Sequence, residues 1–464
     1  MKPAVLLTVV NNDLCIGCGL CAGICPDNVL QIRYNQFGEY NPVSIGECTK
    51  QCGLCLKVCP FAKGNPDEDK IGQQLYGEVP EIQYRSETGY SLATYAGYSG
   101  IGGHREHGSS GGMATWLLET MLKIGIIDAV ACITHNPDPD KLFKFAIFTK
   151  AEDVRASAGS AYYPVELSEV IRYIIDNSGR YAVVGVPCFV KAIRLAQQKN
   201  KKLRERIIVV LGLNCGQLKS KNYTAYLAAL AGLKEAPIKV HFRGKDSGQT
   251  ANNYFFSCTD KQGKERRIYQ NEGVSEAWGN RWFTPNACNY CDDIFAECAD
   301  VTFMDAWLPK YSSDPRGTNI VIVRSVRVNE LLRDGIESGD INVNNIVIDE
   351  VIRSQEGLIA VKRYYLAHRL YRAYKQGFEL PMKRVKAAAI VNPLTRMDIE
   401  LKEEMQRVSR NNFADRIGKD DFNIQAFRQS MIPYLNKIRL VRLISTGLSV
   451  PQLGIRKIMR YIHG

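Results

Sequence analysis

Along this chain, segments with the apolar spacing of a helix alternate with unbroken apolar runs. Met113–Ile124 has helical spacing, and Ala129–Ile133 and Phe143–Phe148 read as strands. Val165–Ile175 is helical, Tyr181–Val186 is a buried strand, and Phe189–Gln197 is helical again. Ile207–Leu213 is a further apolar strand, followed by the helix Tyr223–Leu230. Strands alternating with helices predict an α/β domain with a mixed, largely parallel sheet. From Lys239 to Tyr269 the pattern shortens to alternating strands, which predicts an antiparallel insertion. Residues 64–108 are rich in Gly, Tyr, Ser and charge and have no sustained period, so they read as a connector lying over the body. Asn392–Ser409 reads as a charged surface helix.

Composition narrows the class. The 464 residues are 45% hydrophobic and 23% charged, as in ordinary globular chains. No stretch approaches the roughly 18 apolar residues of a membrane-spanning helix. The short apolar run Met1–Val10 lacks a cleavage site, so no signal peptide is read and a cytoplasmic location is expected. The net charge is +12. Half of it sits in residues 431–464, where Lys437, Arg439, Arg442, Arg456, Lys457 and Arg460 occur without Asp or Glu. The remaining body is only mildly basic, which argues against a nucleic-acid footprint.

The 15 cysteines redirect the reading toward metal or redox chemistry, since a cytosolic chain keeps its thiols reduced. Cys15-x2-Cys18-x2-Cys21-x3-Cys25-Pro26 is the run in which three thiolates grip one 4Fe–4S cube and the fourth ligates a second. Cys48-x3-Cys52-x2-Cys55-x3-Cys59-Pro60 repeats it with one extra residue. The expected pairing is Cys15, Cys18, Cys21 and Cys59 on one cluster, and Cys48, Cys52, Cys55 and Cys25 on the other. Zinc knuckles are the competing reading, but they present two short pairs rather than two near-identical four-cysteine runs. Val29–Arg33 and Glu39–Val43 read as a small hairpin between the runs. Residues 1–63 are thus expected to form an α+β, ferredoxin-like head with two 4Fe–4S clusters.

Further chemistry sits where predicted strands end. Ser109-Ser110-Gly111-Gly112 precedes the Met113 helix and could aim backbone amides at a phosphate or flavin edge, although a plain capped helix would look the same. Ser157-Ala-Gly159-Ser160-Ala-Tyr162 is a second small-residue turn. Cys188 and Cys215 each follow an apolar strand, where ligand sites collect in α/β sheets. With Cys288-x-x-Cys291 they could hold a third 4Fe–4S cluster, a zinc ion, or simply be buried thiols. Cys298 is a fifth candidate. Cys132 and Cys258 read as packing thiols, and His104 and His107 as surface residues of the connector. No P-loop, dinucleotide-binding glycine motif or H-E-x-x-H is present.

The order of these motifs resembles the coenzyme F420 hydrogenase/dehydrogenase beta-subunit family. The matching pieces are Ser109–Gly112, Ser157–Tyr163, Gly185-Val-Pro187-Cys188, Gly212-Leu-Asn214-Cys215, Cys288-x-x-Cys291, Ala299-Asp300 to Asp305, and Thr318 to Arg324. The resemblance implies an FAD- and iron–sulfur-binding domain over residues 109–380; the region after Arg324 is longer than compact family members need, and residues 381–464 are expected to form a helical basic extension. It places Ser109 to Gly112 and Ser157, Gly159 and Ser160 against the flavin, with Asn214 and Asp305 lining the same cavity. Cys188, Cys215, Cys288 and Cys291 would ligate a third 4Fe–4S cluster.

The implied activity is an oxidoreductase converting hydride transfer, from reduced coenzyme F420 or a related carrier, into one-electron steps through 4Fe–4S clusters. No catalytic side chain is nominated, because such cofactors carry the chemistry and the protein positions them. The alternatives are a ferredoxin-fed reductase of an organic substrate, or an electron-transfer subunit inside a larger redox complex. Partners would be a hydride carrier and a one-electron carrier or redox subunit. The basic segments Tyr434–Ile444 and Ile455–Ile462 could dock on an anionic membrane surface or an acidic partner, or pack on their own body.

Overall fold

The computed structural model describes residues 1–50, 52–390, 392–415 and 423–447. In the head, β1 (Leu30–Tyr34) and β2 (Tyr40–Ser44) pair as an antiparallel hairpin, within a residue of the expected bounds. Single-turn helices Leu20–Gly23 and Leu54–Lys57 each follow a left-handed glycine, Gly19 and Gly53. A Cβ on Gly19 would sit 2.9 Å from the backbone nitrogens of Leu167 and Ser168, so only glycine lets the head approach the body this closely. There the Leu167 amide donates to the Cys18 carbonyl at 2.9 Å.

The expected connector is more structured than its composition implies. It holds the helix Glu68–Tyr76, the short hairpin β3 (Gln83–Arg85) and β4 (Gly89–Ser91), and β5 (Ala93–Ser99). β5 is an interior strand of the main sheet and carries no apolar run. Gly97 faces the backbone of Asn342 so closely that no side chain fits there. Small residues replaced the hydrophobic signal, and the sheet therefore starts before residue 109.

The sheet continues with β6 (Ala129–His135), β7 (Phe143–Phe148), β8 (Tyr181–Gly185) and β9 (Ile207–Leu213). β10 (Lys239–Gly244), β11 (Phe255–Thr259) and β12 (Glu265–Tyr269) form the expected separate antiparallel sheet. β13 (Val301–Asp305), β14 (Asn319–Val323) and β15 (Ile341–Asn345) complete the main one. Its order is β15-β5-β14-β13-β9-β8-β6-β7. The central strands β13, β9, β8 and β6 are parallel, and the flanking strands antiparallel.

Helices cover both faces, which is why β8 and β9 are apolar throughout. On one face Trp116, Leu117 and Leu332 pack against Val209, Val301 and Val321. On the other, Ile171 and Ile193 share a core with Val183 and Val210, and the head contributes Leu20 and Val58 to that same core.

The C-terminal extension packs on the body. Helix Pro393–Ala414, expected at the surface, buries Ile399, Met405 and Phe413. Its polar residues on the same side are partnered: Gln406 donates to the Thr284 carbonyl at 2.7 Å, and Ser409 accepts the Phe283 amide at 3.0 Å. A polar pattern thus disguised a packed face. Helix Ile424–Gly447 includes Tyr434–Ile444 and buries Phe427, Met431, Leu435, Ile438 and Val441. Arg439 pairs with Glu276 at 3.1 Å and Arg442 donates to Asn280 at 3.1 Å, so this segment docks on its own chain. Ile455–Ile462 lies outside the described residues. Among those described, no helix is long and apolar enough to cross a membrane.

Candidate functional site

The head thiols lie in two adjoining groups, with Cys55 acting on Cys21 and Cys59 as well as feeling Cys52 and Cys25. Cys15, Cys18, Cys21 and Cys59 act on one another's charge. Cys25, Cys48, Cys52 and Cys55 line one cavity of about 180 Å3 roofed by Met1 to Ala4. Backbone amides point at the sulfurs: Gly17 donates to Cys15 at 3.4 Å, and Phe61 and Ala62 to Cys59. Such N–H···S bonds stabilise thiolate ligands. Burial pushes the Cys18 thiol up to about 12 and the Cys59 thiol to about 11.

The fold also gathers the body cysteines. β8 delivers Cys188 to the start of the helix Pro187–Lys199, and β9 delivers Cys215 just beyond Leu213. Cys288 and Cys291 come from the turn Asn286–Tyr290 and its end. Cys188 feels Cys291, Cys215 and Cys288, and then the head's Cys18. The Leu218 amide donates to the Cys288 sulfur at 3.4 Å. Cys298 is left out: it is buried elsewhere, 3.8 Å from the Glu68 carbonyl. Cys132 and Cys258 are buried within β6 and β11, as expected of packing thiols. Among the described residues no three His, Cys, Asp or Glu side chains are gathered for a single metal ion. A cube, whose ligands spread over four irons, needs a wider array.

Buried cations surround this body set. Lys362, Arg281 and Lys219 are each at most 5% exposed, and sulfurs of the set act on all three. Among the described residues, Lys219 donates to the Trp282 carbonyl and the Thr284 hydroxyl, and Arg281 to the Asn289 side chain. No carboxylate forms an ion pair with any of the three among the described residues. Buried cations without carboxylates call for another anion. Neither the spacing nor the polarity of the sequence singled out these residues.

An apolar cleft lies at the C-terminal ends of β6, β8 and β9. Ile133, Gly185 and Leu213 meet Cys15 and Tyr40 of the head across it, with Tyr163 and Lys219 on its walls. This is where α/β sheets bind ligands.

A second pocket is polar. Ser109 and Ser110 line it with Asp305, Arg243, Lys245, Tyr254 and Trp307. Arg243 pairs with Asp305 at 2.6 Å and lies 4.5 Å from the Tyr254 ring centre. The Arg243 Nε and the Ser109 hydroxyl are buried without a partner. Burial, with Arg243 and Arg105 nearby, holds the Lys245 ammonium down at about 7. Arg243 and Lys245 come from the antiparallel insertion and carry no recognisable motif.

The other expected residues divide. Ser110 donates to the Thr318 carbonyl at 2.7 Å, and the Met113 amide donates to Asn319 at 3.2 Å, so this helix start turns inward rather than outward. Gly111 and Gly112 admit close packing against Gly97 and His104. Ser157 closes its own turn on the Val154 carbonyl, Gly159 lies near His241, and Ser160 adjoins Tyr162. Asn214 donates to Gln355 at 3.2 Å and lies outside the polar pocket. His104, expected at the surface, is buried; its ring meets Ser99 at 2.9 Å and Glu119 at 3.0 Å. β5 and the Met113 helix supply those partners, which the connector reading had hidden. His107 is exposed.

Residues 14–63 match the 4Fe-4S dicluster domain model. Residues 94–172 match the model for the N-terminal part of the coenzyme F420 hydrogenase/dehydrogenase beta subunit, and 178–348 its C-terminal part. A subunit of the F(420)H(2) dehydrogenase of Methanosarcina mazei is 23% identical over 346 residues, covering 72% of this chain and 87% of that protein. A coenzyme F420-dependent sulfite reductase of Methanocaldococcus jannaschii is 27% identical over 192 residues, 41% of this chain and 26% of that protein. A chain in a structure of the F420-reducing NiFe hydrogenase complex from Methanosarcina barkeri aligns with a TM-score of 0.48 at 17% identity, over 62% of this chain and 96% of that one. The two beta-subunit models together span more than half of the sequence, and the protein belongs to the coenzyme F420 hydrogenase/dehydrogenase beta-subunit family, with a 4Fe-4S dicluster domain at its head.

Proposed function

We propose that this oxidoreductase-family chain is an FAD- and iron–sulfur-dependent enzyme that links a hydride carrier, reduced coenzyme F420 or a related molecule, to one-electron carriers. The observation that carries the reading is the convergence of Cys188, Cys215, Cys288 and Cys291, with the buried Lys362 and Arg281 beside them and, among the described residues, no carboxylate ion-paired to either. Leaving such cations without an anion costs several kcal/mol. Four thiolates on a 4Fe–4S cluster would supply that anion, held by Cys188, Cys215, Cys288 and Cys291. The two head clusters would be held by Cys15, Cys18, Cys21 and Cys59, and by Cys25, Cys48, Cys52 and Cys55.

When bound, FAD exchanges hydride on one side and single electrons on the other, and the clusters carry the single electrons. The chain's own tasks are binding, orientation and exclusion of water. The unpartnered Ser109 hydroxyl and Arg243 Nε, with Lys245, would hold the phosphates, and Tyr254 and Trp307 would wall them. Cys15, Gly17 and Tyr40 of the head wall the apolar cleft and would limit water there. Cys52 is exposed, so the second head set is where a one-electron partner or redox subunit would meet the chain.

The test is anaerobic purification with FAD and iron–sulfide reconstitution, then stoichiometric reduced coenzyme F420 while the visible spectrum is recorded. Bleaching of flavin and cluster bands is expected. No bleaching, with dithionite still reducing every centre, rejects this donor and favours a ferredoxin-fed reductase.

A further inference from the structure

The buried cations near the body cysteines differ in one respect. Lys383 pairs with Asp292 at 3.1 Å, Lys191 with Glu68 at 3.3 Å, and Arg363 with Glu297 at 3.1 Å. Lys362, 3% exposed, has no such carboxylate among the described residues, and the opposite charges that act on it are the sulfurs of Cys291, Cys288 and Cys215.

The backbone explains how Lys362 reaches them. The helical run from Glu356 to Lys375 is interrupted by a π-turn over Ala360–Tyr365. Single π-turns cluster at functional sites and add a residue to the turn, which rotates the downstream residues by about 100°. Just before it, Gln355 accepts from Asn214, and the Leu358 side chain sits where a Cβ on Gly216 would be 2.9 Å away. The segment is therefore clamped on both sides of Cys215, with Lys362 turned into the cysteine set and its neighbour Arg363 directed to Glu297.

We propose that Lys362 is a positioning residue that sets the reduction potential of an iron–sulfur centre on Cys188, Cys215, Cys288 and Cys291. The inference rests on the third-cluster reading above. One-electron reduction adds a negative charge to the thiolate-bound centre and leaves the ligand bonds in place. A fixed cation in a low-dielectric site stabilises the reduced form more than the oxidised one. Lys362 thus raises the midpoint potential of the body centre.

The test uses the full chain, purified and reconstituted without oxygen, with Lys362→Met and Lys362→Arg compared to the wild type. Iron content and an EPR-monitored redox titration with dithionite and mediators are the readouts. The expected result is unchanged iron in the Met variant, a body-centre midpoint moved to more negative potential, unmoved head centres, and a near-normal midpoint in the Arg variant. Loss of body iron in Met with retention in Arg also supports the charge requirement. A body centre whose midpoint does not move in Met, or loss of its iron in both variants, overturns the inference. Wild-type iron sufficient only for the two head clusters overturns the third-cluster reading itself, and this proposal with it.

Discussion

Arg410 ties the C-terminal extension to the head, and removing it gives a quantitative test of how the head is docked. Its guanidinium donates to both Asp13 oxygens at 2.7 and 2.9 Å and to Glu39 at 2.8 Å, beneath the Phe37 ring. Glu39 lines the apolar cleft and is 5% exposed. Burial pushes its carboxyl up, while Arg410 pulls the other way. Arg410→Met keeps the aliphatic stem and strands Glu39. Breaking one side of a buried pair costs about 3–5 kcal/mol. Asp13 is half exposed and adds at most about 1 kcal/mol. At about 1.36 kcal/mol per decade, amide exchange in the β1–β2 hairpin should accelerate by roughly two to four decades, with β8 and β9 unchanged. Hydrogen exchange read by mass spectrometry measures this. The double variant Glu39→Gln, Arg410→Met should recover most of the loss, because a neutral amide leaves no stranded charge. The pH dependence has a definite sign. In the single variant the folded chain holds the Glu39 proton more tightly than the unfolded chain, so the defect shrinks as pH falls through the raised carboxyl pKa and grows above it. Acceleration of less than tenfold, or no recovery in the double variant, refutes this account of docking.

Four further outcomes are expected. Lys245, held at about 7 by burial and its cationic neighbours, should make inorganic phosphate binding to the polar pocket weaken as pH rises through 7. Because its folded pKa lies below the unfolded value near 10.5, the Lys245 contribution to stability should rise with pH between these values, checked by urea titration of the wild type against Lys245→Met. Cys188→Ser should lose body iron while Cys298→Ser retains it, since only Cys188 lies among the converging thiols; iron assay after reconstitution decides it. Gly19→Ala forces a side chain at φ +79° against Leu167 and should loosen the head by about 1–3 kcal/mol, visible as proteolysis between head and body.

Local pattern determined a good deal. The unbroken apolar runs of β8 and β9, covered by helices on both faces, were legible because burial on two sides leaves one composition. The two head runs were legible because a cube needs its thiolates at short, fixed spacing, and the residues they span match a 4Fe-4S dicluster domain. Cys188, Cys215, Cys288 and Cys291 could be named from strand ends and family likeness, but only the sheet's crossing order brings them together and sends Cys298 elsewhere. β5 escaped notice because Gly97 lies where another strand comes too close for a side chain, so the packing that defines the strand erased its hydrophobic signal. The face of Pro393–Ala414 escaped for a different reason: its buried apolar residues Ile399, Met405 and Phe413 are interleaved with buried Gln406, Ser409 and Arg410, whose partners lie on distant segments. Lys362, Arg281, Arg243 and Lys245 are ordinary basic residues in the sequence. Which of a chain's cations is buried, and which of those lacks a carboxylate, is a property of three-dimensional surroundings that no local pattern encodes.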